Sequence, residues 1–247
     1  MSDQLSSGFS IGRVLSSSFS VLNKNIVTFG ILALILTLPN GYFVIMSLTG
    51  ETVKIAGIEN NIAVFALNFL VQFIFNSLLA AMLIFGTFSS MRGRTFGFAD
   101  LLSKGLSVLF PVLGLSIIVG GIVTIGIFLL IIPGIILMIM FYVAIPVKVV
   151  EGVGVGDCMA RSEKLTKGYR GEIFGLLFIV GVFSMAVNLI AGFLAGMLGD
   201  AIISSILVYI FTAYLAAFGA VLSAMVYYEL RAEKEGVDIE TLSRVFA

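Results

Sequence analysis

The sequence predicts an all-α polytopic membrane protein: six transmembrane helices in three hairpins, with amphipathic helices at the cytoplasmic border. Three observations carry that prediction. Of the 247 residues, 60% are hydrophobic and only 11% charged, whereas soluble domains carry about 25% charged residues. A soluble fold of this size has no way to hide so much apolar surface, so its solvent is lipid. Uncharged runs occupy 25–50, 60–91, 105–147, 173–199 and 201–228, each long enough to cross a hydrocarbon core that needs about 20 helical residues. None alternates polar with apolar residues as a barrel strand does, which leaves helices as the spanning element.

The 105–147 run has no charge over 43 residues. As one helix it would be about 65 Å long, roughly twice the bilayer core. A turn is therefore expected at 128–134, where Pro133 and Gly134 stand in IPGI, since proline suits the first turn of a new helix. The six spans fall at about 26–48, 62–89, 106–127, 133–150, 173–198 and 201–228. Pro39 should kink the first, Pro111 should lie near the start of the third, and Pro146 should bend the fourth near its end.

Three stretches between spans have amphipathic character. In 9–25, Ile11, Leu15, Ser18 and Leu22 share a helical face, which suits either an interfacial helix or an extension of span one. Phe98, Leu101 and Leu102 give the charged segment after span two a similar face. In 151–172, Val155, Cys158, Met159, Ser162 and Leu165 line up, and bilayer contact is the expected cover for them. Glu163 and Lys167 there are spaced for an i,i+4 pair, and Gly168 should end the helix. The three stretches suggest a threefold repeat of surface helix plus hairpin. At the C-terminus Gly236 should stop the last helix, and Asp238 can cap a further turn.

Charge placement orients the chain. With six spans and both termini cytoplasmic, thirteen Lys and Arg lie inside, from Arg13 to Arg244, and only Lys54 lies outside. This is the asymmetry of the positive-inside rule. Net charge is zero and speaks against a nucleic-acid partner. With one cysteine and no histidine, the chain has no internal disulfide, no usual zinc or haem ligand set and no Ser-His or Cys-His nucleophile. The glycines of EGVGVGD lack a following GK[ST], so they form no phosphate loop. No cleaved signal peptide is read at the N-terminus. No catalytic residue, metal or cofactor is expected.

Asn68, Gln72 and Asn76 recur at i, i+4 and i+8 on span two. Interhelical hydrogen bonding is the preferred expectation for them, a substrate-facing strip the other. Ala216, Ala220 and Ala224 on span six, and Gly192 and Gly196 on span five, are expected to serve close packing inside the bundle, with a homo-oligomer contact the other use. Glu151, Arg161 and Arg170 are the notable border charges. Arg161 would pair with Glu151 or with a lipid phosphate, or all three are solvated flanking charges.

IPGI with the downstream IPVKVVEG, then ARSEKLTKGYRGEIFG, then YYELRAEKEGVDIETL resemble the membrane domain fused to some bacterial glycerophosphoryl diester phosphodiesterases, and its stand-alone inner-membrane relatives. The resemblance singles out Pro133, Gly134, Pro146, Glu151, Arg161, Ser162, Gly168, Arg231 and Gly236. This chain departs from the family in the apolar 137–141 after the Pro-Gly turn and in Gly171-Glu172 before Ile-Phe-Gly, and it lacks the phosphodiesterase domain. The resemblance implies a membrane module in the bacterial inner membrane and does not imply hydrolysis. The expected function is a non-enzymatic scaffold or accessory that engages membrane lipid or partner membrane proteins. The alternative is a permease or transporter subunit, working as a homo-oligomer.

Overall fold

The computed structural model describes residues 8–42, 61–198 and 200–236. Among them there is no strand, and nine helices carry the fold: α1 Ile11–Lys24, α2 Ile26–Leu36, α3 Asn61–Met91, α4 Phe98–Leu129, α5 Ile131–Met140, α6 Ala144–Glu151, α7 Val155–Thr166, α8 Arg170–Leu198 and α9 Ala201–Glu235. Five spans are long and apolar enough to cross a membrane, and six if α1 and α2 count together. The chain is an all-α polytopic membrane protein. Residues 43–60 and 237–247, with the end of the first predicted span, Lys54, Asp238 and Arg244, lie outside the described residues.

Helices α3 and α9 form the centre. Leu79, Met82, Leu83 and Ile84 of α3, and Val221, Leu222, Ala224 and Val226 of α9, are buried. With 31, 32 and 35 residues, α3, α4 and α9 are each about 46–52 Å long, more than the hydrocarbon thickness. The excess length accommodates the charged start of α4, with Asp100 and Lys104, and the charged end of α9, from Glu229 to Glu235, outside the apolar layer.

The prolines act four residues upstream, where each would meet the carbonyl of residue i−4 and deny it a donor. Helix α4 stops at Leu129, four before Pro133. The fourth span breaks at 141–143, around the partner carbonyl of Pro146, rather than near its end. Helix α2 ends at Leu36, and helix resumes at 38–42 around Pro39. Pro111, in contrast, sits within α4 without interrupting it.

The first span is entered through a corner. α1 meets α2 at 87°, so α1 is a separate helix and not an extension. Asn25 holds the corner, its Nδ2 donating to Val21 O at 2.8 Å and to Ser90 Oγ of α3 at 2.7 Å. Two expectations about the amphipathic segments are corrected. Phe98–Lys104 is no separate surface helix but the opening turns of α4. Gly105 within it is a close approach: a Cβ there would lie 2.4 Å from Met82 Cγ of α3. The second unit of the suggested repeat is thus built unlike the first. The apolar faces of α1 and α7 are covered by protein rather than by lipid. Val14, Ser18 and Leu22, and Cys158, Ser162 and Leu165, are all buried, α1 against α9 and α7 against α6 and α9.

The α4–α5 hairpin is tighter than a proline turn requires. Leu130 is extended (φ −156°, ψ 130°) and reverses the chain. A Cβ on Gly134 would lie 2.5 Å from Ile127 N and 2.6 Å from its Cα, and one on Gly126 would lie 3.1 Å from Gly134 Cα. Gly134 therefore serves backbone-to-backbone approach, and the turn itself belongs to Leu130 and Pro133. Asp200 opens α9 by accepting from Ile202 N and Ile203 N, both at 2.9 Å. Gly168 (φ 94°) and Gly236 (φ 61°) terminate α7 and α9 in the left-handed region that glycine tolerates, as the sequence predicts.

Candidate functional site: a charged ring at one end of the bundle

Contacts gather the Lys and Arg of the described residues at one end. Arg13 Nε meets Glu229 at 3.0 Å. Lys234 Nζ donates to the carbonyls of Lys164 and Lys167, satisfying the orphan acceptors that close α7. Lys104 and Lys148 line one cavity, and Lys104 lines another with Arg92 and Arg94.

Within that end, five side chains close a ring. Helix α6 stops at Glu151 because Gly152 is left-handed (φ 66°). The chain turns through 152–154 into α7 and returns Arg161 to Glu151, whose two oxygens each lie 3.1 Å from Arg161 Nε. The Arg161 fork also grips Glu235, Nη2 to Oε2 at 2.9 Å and Nη1 to Oε1 at 2.5 Å. Arg231 Nε donates to Glu235 Oε2 at 2.9 Å, and its Nη1 to Tyr227 Oη at 3.1 Å. Tyr227 then donates to Glu151 Oε1 at 2.7 Å. Residues 227, 231 and 235 share one face of α9 at i,i+4 spacing. The hydrogen bond that Arg161 donates to Glu235 is the largest influence holding its guanidinium protonated even more firmly than usual, and burial opposes it.

The ring contains two carboxylates and two guanidiniums, so it is neutral within itself and ties α6, α7 and α9 together. Arg161 engages Glu151, the protein partner weighed for it. Glu151, Arg161 and Arg231 were marked by the sequence, whereas Tyr227 and Glu235 were missed. Their signal was the repeated i,i+4 spacing in YYELRAEKE.

Ser162 serves a different purpose. Its Oγ donates to Met140 O at 2.8 Å, and Thr166 Oγ1 reaches the same carbonyl at 3.3 Å. These hydroxyls satisfy backbone left open by the break in the fourth span, as buried acceptors require. Glu163 faces Arg170 at 3.9 Å and not Lys167, because Lys167 has left the helix (ψ 124°). Cys158 is buried, its Sγ 3.5 Å from Val153 O. Burial is the main cause that pushes its thiol pKa up, with Lys148 drawing it back.

The amide stripe makes no side-chain hydrogen bond to another helix among the described residues. Among the described residues its side-chain hydrogen bond is Asn76 Nδ2 to Gln72 Oε1 at 3.3 Å, within α3. Asn68, Gln72 and Asn76 line a groove of about 430 Å³ with Phe69, Ser116 and Ile145, which corrects the preferred expectation. Ala224 is buried, and Ala216 and Ala220 pack against the core, as expected of a close-packing ridge. Gly192 and Gly196 have open space before them, so among the described residues α8 does not use its GxxxG for packing.

Comparison of the chain with family models, with curated proteins and with solved structures finds no match. What fold and site define is a class: a polytopic α-helical membrane protein with one charged end closed by a neutral ring.

Proposed function

We propose that the protein is a non-enzymatic accessory module of the bacterial inner membrane, both termini cytoplasmic, that engages membrane lipid or partner membrane proteins. The observation that carries this reading is the contrast between centre and flanks. The apolar window of α8 is 11% buried and that of α4 17%, against 44% for α3. Two spans thus present most of their circumference outward, while the ring at the charged end is neutral within itself. Such a body is built to be surrounded. The motif resemblance to the phosphodiesterase-associated membrane domain supports the same reading. Purification in native lipid discs, followed by identification of lipids and proteins, tests it. A defined anionic lipid or a partner should co-purify, and bulk lipid alone would refute it.

One observation favours the permease alternative: three amides face a groove. Flux of small polar solutes through reconstituted vesicles, lost on replacing Gln72 with leucine, would select it.

Orientation is tested by labelling in a Cys158→Ser background. A cysteine at Lys54 or Asp200 should react from the periplasmic side, and one at Lys104, Lys167 or Glu235 should not. External labelling at Lys167 would overturn the proposed topology.

A further inference from the structure

We propose that the groove beside Asn68, Gln72 and Asn76 binds a lipid-soluble quinone, with its ring against Phe69 and Phe73 and its carbonyl oxygens on the hydrogen-bond donors of α3 and α4. This goes beyond the accessory reading and does not depend on it.

Polar groups left open inside a span mark the site. Hydroxyls on other helices turn back on their own backbone. Ser18 Oγ donates to Val14 O and Thr87 Oγ1 to Leu83 O, both at 2.7 Å, and Thr212 Oγ1 to Val208 O at 2.9 Å, the usual local bond of such residues in a helix. Ser116, near the middle of α4, does not follow them. Its Oγ is buried and has no hydrogen-bond partner, and Ser116 lies in the wall of the groove. On α3, Asn76 Nδ2 donates to Gln72 Oε1, and among the described residues Asn68 makes no side-chain hydrogen bond. Exposure does not satisfy these amides, because hydrocarbon surrounds a span and offers them nothing to bond.

The lining narrows the ligand. At about 430 Å³, the groove is of small-molecule size. No charged side chain lines it, and an unpaired charge at this depth is costly, so the ligand is neutral. Open donors outnumber open acceptors, since Gln72 Oε1 is already taken while the N–H groups of Asn68 and Gln72 and the Ser116 hydroxyl are not. Ile145 adds the first turn of α6, whose N-cap Val143 gives no side-chain cap, and that end of a helix also favours an acceptor. A neutral acceptor that dissolves in lipid is a carbonyl oxygen, of an ester or of a quinone.

The aromatic wall decides between them. Phe69 and Phe73 stack with centroids 6.3 Å apart and planes 20° apart, and both line the groove. Nearly parallel rings side by side offer a flat face, which suits a flat ring lying offset on them better than a branched glycerol ester. Phe65 and Phe69 are exposed, so the groove opens sideways into the bilayer, where an isoprenoid tail has its solvent.

The test uses the full chain in phosphatidylcholine discs and measures equilibrium binding of a tritiated short-tailed ubiquinone, with uptake by empty discs subtracted. Wild type should bind it, and N68L/Q72L should bind it about 10-fold more weakly with an unchanged unfolding midpoint. F69L, which thins the aromatic wall at an exposed position and keeps every amide, should also bind more weakly. N188L, which removes an exposed amide from α8, should bind as wild type. Uptake no greater than that of empty discs, or unchanged in both N68L/Q72L and F69L, would overturn the site. Equal loss in N188L would show a general effect of amides and overturn it as well. Displacement by an equal amount of dioleoylglycerol, which has ester carbonyls and no ring, would overturn the quinone as occupant. None of these failures touches the accessory reading, which falls instead if native discs yield bulk lipid alone.

Discussion

Arg161→Glu should expose Cys158 to thiol reagents. In the wild type the sulfur is buried, and its raised pKa lowers the thiolate fraction further, so alkylation in lipid discs should be slow. The substitution replaces a guanidinium that grips two carboxylates with a third carboxylate. Removing one partner of a largely buried ion pair costs roughly 3 kcal/mol, the lower end because the ring is partly wet. If that loss falls on the docking of α7, its open population rises about 100-fold, and so does the alkylation rate. Hydrogen exchange across Val155–Thr166 should accelerate in parallel. Adding Glu151→Arg restores one pair across the turn but leaves the new carboxylate beside Glu235, so rescue should be partial. An unchanged alkylation rate in Arg161→Glu would mean that Ser162, Leu165 and the other α7 contacts hold the helix without the ring.

The sequence made some parts of this structure plain and hid others, for physical reasons. Uncharged length and charge asymmetry mark spans because the bilayer imposes both, and the Pro133 and Pro146 breaks follow from local backbone chemistry. Glu151 and Arg161 stood out because only ten residues and several glycines separate them. What covers an amphipathic face is not a local property. The faces of α1 and α7 have the periodicity of interfacial helices, yet other helices cover them. Likewise a charged segment before an uncharged run reads the same whether it is a surface helix or the protruding end of a long span. The decisive feature at Phe98–Lys104 was the lack of a helix breaker, since Gly105 faces Met82. Tyr227 and Glu235 escaped notice because their partners lie 76 and 74 residues away. The amides of α3 were misjudged for the opposite reason: polar groups in a span need partners, but a groove can stand where a partner helix was expected.

Gly134→Leu should damage the protein more than Pro133→Leu. If the dipeptide acted simply as a helix breaker, both changes would contribute through helix propensity, with proline the larger at about 3 kcal/mol and glycine at about 1. The observed hairpin reverses that order. Pro133 is the third residue of α5, within the first turn where its missing N–H is one the helix leaves unpaired anyway. Leucine there restores a donor without adding a clash to the described hairpin. At Gly134 even the first side-chain carbon meets backbone, 2.5 Å from Ile127 N, and backbone cannot rotate away as a side chain does. The two helices must separate, which also uncouples Gly126 from Gly134. Overpacking of this kind costs about 1–3 kcal/mol, and Gly134→Ala should already show most of it. The measurement is the unfolding midpoint in lipid discs, together with labelling at a cysteine replacing Lys167. Gly134→Ala and Gly134→Leu should lower the midpoint by several degrees, whereas Pro133→Leu should change it little and leave labelling unaltered. If Pro133→Leu is the more harmful of the two, the reversal at Leu130 depends on the missing donor rather than on the contact between Gly134 and Ile127.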